Sequence, residues 1–245
     1  MKNTLFKRLI LVTAVICLLS AAVLPRGNAP QPEPNIEVAF VVNQFHNKTL
    51  ADCVAMMDRH RPQAVTAQEK VILRAQGFDL VNKTLINDPA LVQELYRRTQ
   101  KVLEFHHRAG IVEYRLFKNS DPVLMTQPGA FIYISSRALE IAQDDEALNG
   151  IIAHELSHEL LAMQFLDAYT THNCEKLRII ELLCDVFATI TMIELKMNPD
   201  KFADALKDIV HNSKASEELN DGTKGMPSLE ARLQTISEIK KLFSH

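Results

Sequence analysis

Residues 144–165 read DDEALNGIIAHELSHELLAMQF, and the spacing inside this stretch decides what kind of domain the chain builds. Leu148, Ile151, Ile152, Leu156, Leu160 and Leu161 recur at helical intervals. This predicts a helix over 145–165 with one buried face. Asp144 or Asp145 suits its start, where a carboxylate caps free backbone N–H groups and meets the positive end of the helix dipole. His154 and His158 stand four apart, one above the other on the same face. Two imidazoles so placed can hold one zinc ion, each at about 2.0–2.1 Å. Glu155 then lies beside the metal, where its carboxylate can take a proton from an attacking water. This is the H-E-x-x-H pattern of zinc peptidases. The competing reading makes both histidines solvated helix residues. The apolar density argues against it, because two histidines and two glutamates are costly to bury unless something pairs with them.

A catalytic zinc keeps three protein ligands and one open position. The extended pattern H-E-x-x-H-x-x-G-x-x-H is excluded, since Leu161 and Gln164 occupy its glycine and third-histidine positions. The third ligand therefore lies farther along. His172 is one candidate, in a segment, THNCEK, that reads as a turn between helices. Glu181 is the better one. It lies in KLRIIELLCDVFATITMIELK, an apolar stretch of helical length that Asn198–Pro199 stops. Glu181 and Asp185 share a face of that helix, and two carboxylates on an apolar helix call for a positive partner. Glu181 is read as the ligand. Asp185 is read as accepting the spare N–H of a zinc-bound histidine and so fixing its tautomer.

HELSH followed by Glu181-x-x-x-Asp185 resembles the HtpX-type zinc metallopeptidases, the gluzincin family that also holds the CAAX prenyl endopeptidases. PGAFIYISSRALEIAQDDEALNGIIAHE, upstream, is similar to that family's edge strand and the helix leading into its site. GMPSLEARLQTI, downstream, is similar to its His-Pro-x-x-x-x-Arg segment, and the match covers roughly residues 125–240. The resemblance implies a zincin-like domain with one zinc ion per chain, held by His154, His158 and Glu181. It implies Glu155 as general base and acid, and Arg232 as an arginine supporting the site. One departure stands out. Met226 occupies the place of the family's histidine before the proline. That histidine is taken to stabilise the oxyanion, and methionine has no hydrogen to donate. Loss of one such donor costs about two to three orders of magnitude in rate. Three alternatives follow: a slow peptidase, a site that opens only on a signal, or another donor, for which Arg232, His172, Tyr169 and Tyr133 are the candidates.

Outward from this core the chain changes character. Lys2, Lys7 and Arg8 precede an uncharged run from Leu9 to Leu24. This reads as a signal peptide or an N-terminal membrane anchor over 1–24. The run rises about 24 Å as a helix against a hydrocarbon core of about 30 Å, which favours removal over anchoring. Residues 25–35, PRGNAPQPEPN, form a proline-rich tether. The metallopeptidase domain is then expected over 36–245, one domain's length. The helix around Glu181 carries too many charges to be a membrane span. The net charge of −3 and the lack of a basic cluster beyond the start exclude nucleic acid as a partner. Cys53, Cys174 and Cys184 remain after removal of the leader, an odd number from which no complete disulfide framework follows. One pair among them, a buried thiol at Cys184, or a thiolate ligand are the alternatives.

The remaining pattern is mainly helical. Thr66 and Glu69 form a capping box for a helix over 66–76. Asp88–Pro89 starts a long helix ending near Gly110, with His106, His107 and Arg108 suited to its negative end. Strands are expected over 111–118 and 130–135, and further helices over 136–143, 175–196, 199–212 and 228–243. The fold class is therefore α+β, with a small sheet beside the metal-binding helix. Residues 130–135 are expected to form an edge on which an extended peptide can add as a strand. These readings converge on a zinc metalloendopeptidase acting on polypeptides, unfolded or misfolded, in an extracytoplasmic space such as the periplasm. Its N-terminal segment associates with the membrane if it is retained. The alternative is a zinc-binding protein of the same fold that is weakly active or inactive, with a chaperone-like or regulatory role.

Overall fold

A computed structural model describes residues 35–75, 84–215, 222 and 225–243. The expected leader over 1–24 and all of the tether before Asn35 lie outside the described residues. Among the described residues no helix is long and apolar enough to cross a membrane.

Three helices open the domain. α1 (Ile36–Asn43) is capped by Asn35, and α2 (Leu50–His60) by a reciprocal Thr49–Asp52 box. α3 (Ala67–Ala75) starts on the expected box, in which the Glu69 amide donates to Thr66 Oγ1 and the Thr66 amide donates to Glu69. α1 and α2 were not foreseen. α4 (Pro89–Phe105) takes its cap from Asp88 but stops short of Gly110, because His107 turns left-handed at φ 54°. Two of the three residues expected there do not serve as surface charges at the helix end; His107 alone is exposed. His106 and Arg108 are buried. Burial pushes the His106 imidazole down to about 3, so it is neutral and meets Thr191 instead.

The sheet has three strands: β1 (Glu113–Phe117), β2 (Leu124–Gln127) and β3 (Phe131–Ser135). Their order is β1-β3-β2, with β1 parallel and β2 antiparallel to β3. This corrects one expectation, since residues 130–135 form the central strand and not an edge. The unforeseen β2 pairs on one side only, through a turn in which the Ala130 amide donates to Gln127 and Gly129 adopts φ +69°. The outer side of β1 meets residues 84–86 through an isolated Leu85–Phe117 bridge. Among the described residues, that leaves β2 as the edge strand with a partner on one side only.

β3 alternates between two cores, as a strand buried on both faces must. Ile132 and Ile134 join the main cluster with Leu148, Ile151, Ile152 and Leu156. Phe131 and Tyr133 join a smaller cluster with Leu73 of α3 and Met125. The remaining helices follow: α5 (Ser136–Ile141), α6 (Asp145–Leu160), α7 (Ala162–Thr170), α8 (Cys174–Glu194), α9 (Pro199–Asn212) and α10 (Leu229–Phe243). Asp144 caps α6 through the Glu146 and Ala147 amides. The expected single helix over 145–165 breaks at Leu161, and nothing in the local sequence marks the break. α6 packs against α8, α9, α4 and β2. Gly150 makes the α9 contact close, since a Cβ there would lie 2.5 Å from Phe202 Cβ. The chain is thus mainly helical with a small sheet beside the helix that carries both histidines.

Candidate metal centre

α6 and α8 run against each other with their polar residues turned to the same buried point. Capping of α6 by Asp144 sets its register, and the apolar face of Leu148, Ile152 and Leu156 anchors it in the main core. His154 and His158 then project together, with ring centroids 5.0 Å apart and planes nearly perpendicular. α8 starts at Asn173, whose side chain accepts the Lys176 amide, and delivers Glu181 opposite the two rings. Glu181 Oε2 lies 3.5 Å from His154 Nε2, and Oε1 lies 3.6 Å from His158 Nε2. All three ligand atoms fall within 4.8 Å of one another. Atoms bound tetrahedrally to one ion at about 2.1 Å sit roughly 3.4 Å apart. The buried group can therefore hold a metal ion with little movement.

Behind His154 stands an ordered chain of charge. His154 Nδ1 is 2.9 Å from Asp185 Oδ1. Arg232 of α10 donates to both Asp185 oxygens, from Nε at 2.8 Å and from Nη2 at 2.7 Å. This two-bond fork is the stronger form of an ion pair. Arg232 thus touches the imidazole's partner and supports the site through it.

Asp185 is cancelled by Arg232, which leaves Glu181 without a fixed cation of its own. Burial works against protonation of His154, yet Asp185 and Glu181 outweigh it and lift that imidazole to about 9. Burial works against ionisation of Glu181, but His158, His154 and Arg232 hold its carboxyl down at about 2. His158 goes the other way, pushed down to about 4 mainly by burial. The site draws in one positive charge, a proton on His154 or a cation between the ligands. Burial raises Glu155 to about 7, with the charge on Glu181 adding to it and that on His154 opposing. A carboxyl held there can accept and return a proton near neutrality.

The six residues read from sequence are brought together: His154, Glu155, His158, Glu181, Asp185 and Arg232. His172 is exposed on the turn after α7, at φ 53°, and stays out of the group. The three cysteines in the described residues are all free, so none of the considered pairings forms. Cys184 is not in the ligand group; its sulfur lies behind His158, 3.4 Å from Nδ1. Sequence reasoning missed this contact because a cysteine in an apolar run reads as a small hydrophobe. It also missed the aromatic walls. Phe202 lies against His154, and Phe165 meets His158 edge-on with Tyr169 stacked on it. The missed Arg108–Glu159 pair completes the surroundings. Glu159 accepts the Gly129 amide at 2.8 Å, tying the β2–β3 turn to the end of α6.

No family model and no curated protein matches the chain. The reading of the site rests on its geometry and its motifs.

Proposed function

We propose that this chain is a zinc metalloendopeptidase of the HtpX-type, gluzincin kind, with a zincin-like domain and one ion per chain. The observation that carries the reading is the meeting of two imidazole Nε2 atoms and the Glu181 carboxylate at one buried point. Two nitrogens and one oxygen with a fourth position left open are the donor set of catalytic zinc sites. Zinc held there supplies a Lewis acid that polarises the scissile carbonyl and acidifies the attacking water. Glu155 takes the water's proton as oxygen adds to the carbonyl carbon. It then delivers that proton to the amine as the C–N bond breaks. Asp185 holds His154 with its proton on Nδ1, so that Nε2 keeps a free lone pair.

β2, an edge strand of the sheet, packs on α6, the helix that carries both histidines. It offers a substrate main chain the pairing first expected of residues 130–135. Main-chain pairing reads little side-chain sequence, which suits unfolded or misfolded polypeptides. The basic start and apolar run of residues 2–24 support an extracytoplasmic location, with membrane association if that segment is retained. The second reading, a zinc-binding protein of weak or no activity, draws on Met226. Two of the substitute donors are already engaged, Arg232 on Asp185 and the Tyr133 hydroxyl on Gln127.

One variant tests both. Glu155→Gln is expected to bind zinc as the unaltered protein does and to lose cleavage of an unfolded protein substrate by at least a thousandfold. With a peptide trapped in that variant, amide exchange over Leu124–Gln127 is expected to slow. Cleavage that persists undiminished in the variant removes the assigned base. An unaltered protein that binds zinc and cleaves nothing selects the second reading.

A further inference from the structure

Both imidazoles present Nε2 to Glu181, so each turns Nδ1 away from the ligand group. The two Nδ1 atoms meet consecutive residues of α8. His154 Nδ1 faces Asp185 at 2.9 Å, and His158 Nδ1 faces Cys184 Sγ at 3.4 Å. The sulfur contact lies within hydrogen-bond range for sulfur, whose larger radius lengthens the bond. Glu181, Cys184 and Asp185 fall at i, i+3 and i+4, on one face of the helix. A single turn of α8 therefore carries one ligand and the backing of the other two.

We propose that Cys184 is a positioning residue for His158, accepting its Nδ1–H so that Nε2 is held ready for the metal. This rests on the metal reading of the site. An imidazole that gives its Nε2 lone pair to a cation must carry its proton on Nδ1, and that proton needs an acceptor when buried. Cys184 Sγ is fully buried and aimed at that nitrogen. The two histidines are thus backed unequally. His154 leans on a carboxylate that Arg232 pins. His158 leans on a neutral sulfur, a weaker acceptor, and its side chain is also the more exposed of the two, 17% against 8%. A thiol suits the second position because Arg232 is already spent on Asp185, and a second carboxylate would add an uncancelled buried charge.

The test is competition for zinc against a chelator, with the full chain, comparing the unaltered protein, Cys184→Ser and Cys184→Ala. Loss of such an outer partner weakens metal binding by roughly 10–100-fold. Ala is expected to lose about tenfold, and Ser, which restores an acceptor in nearly the same volume, to recover most of it. A second readout needs no variant. In the zinc-loaded unaltered protein, the His158 Nδ1 proton is expected to appear by nitrogen-15 NMR, protected from exchange with water. Equal zinc affinity in all three proteins, or a His158 Nδ1 proton that exchanges freely, overturns the role of Cys184 and leaves the metal site standing. Failure of the unaltered protein to bind zinc overturns the site itself.

Discussion

Arg232 binds Asp185 through Nε and Nη2 and lies against the His154 ring, with Nη2 3.4 Å from Nδ1 and 3.5 Å from Nε2, and its removal exposes how the charges were balanced. Asp185 would remain fully buried with His154 as its nearest positive partner. Breaking a buried pair by deleting one member costs about 3–5 kcal/mol, most of it the stranded charge. Arg232→Met is therefore expected to destabilise the fold by that order. Adding Asp185→Asn should recover much of the loss, because the amide still accepts from His154 without a charge to strand. Denaturant unfolding of the two single variants and the double variant measures the coupling; additive losses would mean that the pair is not the source. Residues at this scale were legible where spacing encodes geometry. His154–His158 and Glu181–Asp185 are both four apart, and a helix places such pairs on one face. Arg232 came from resemblance alone. Cys184 and the Arg108–Glu159 pair were illegible, since a thiol in an apolar run looks inert and nothing in spacing links residues 51 positions apart.

At the level of elements, the site exists because α6 can be approached closely on two sides. Gly150 lies one turn before His154, and it is the side of α6 that receives α9. A methyl group there would sit 2.5 Å from Phe202 Cβ and 2.9 Å from Met192 Sδ. The Met192 thioether can turn aside, but Phe202 Cβ is fixed to its backbone, so α9 must shift. Gly150→Ala is expected to destabilise by about 1–3 kcal/mol, the usual cost of overpacking, despite alanine's better helix propensity. Because Phe202 also lies against His154, zinc affinity should fall with stability. Thermal unfolding and zinc competition on this variant check both, and an unchanged or raised Tm would contradict the close contact. Helix periodicity made α6, α8, α9 and α10 readable from sequence, and the cap at Asp144 marked the start of α6. Strand order was not readable. β2 is only four residues long, and whether a strand is central or at an edge depends on which neighbours pair with it. The break at Leu161 left no mark in the pattern either, because apolar residues continue through it.

Across the whole molecule, the centre draws side chains from α6, α8 and α10, so a metal ion bound as proposed would share one equilibrium with folding. Its pH dependence follows from His154. In the metal-free fold this imidazole is raised to about 9, from an ordinary value near 6.5. A raised histidine stabilises the fold fully below the lower value, and that contribution is lost as pH climbs through the upper one. Metal-free protein should therefore weaken between about pH 6.5 and 9 on account of this group. Zinc bound as proposed would behave in the opposite way, because it would have to displace the His154 proton. Its affinity should rise up to about tenfold per unit across the same window and level off above it. A ligand present at a thousand times its Kd adds about 4 kcal/mol to stability. For a domain of this size that corresponds to roughly 10 °C in Tm. The gain in Tm on adding zinc is thus expected to be smaller at pH 6.5 than at pH 8.5, with proton uptake by the buffer recorded calorimetrically as zinc binds. A gain that is constant across this range, or that shrinks as pH rises, would mean that no proton leaves His154 and that the cation does not enter between these ligands.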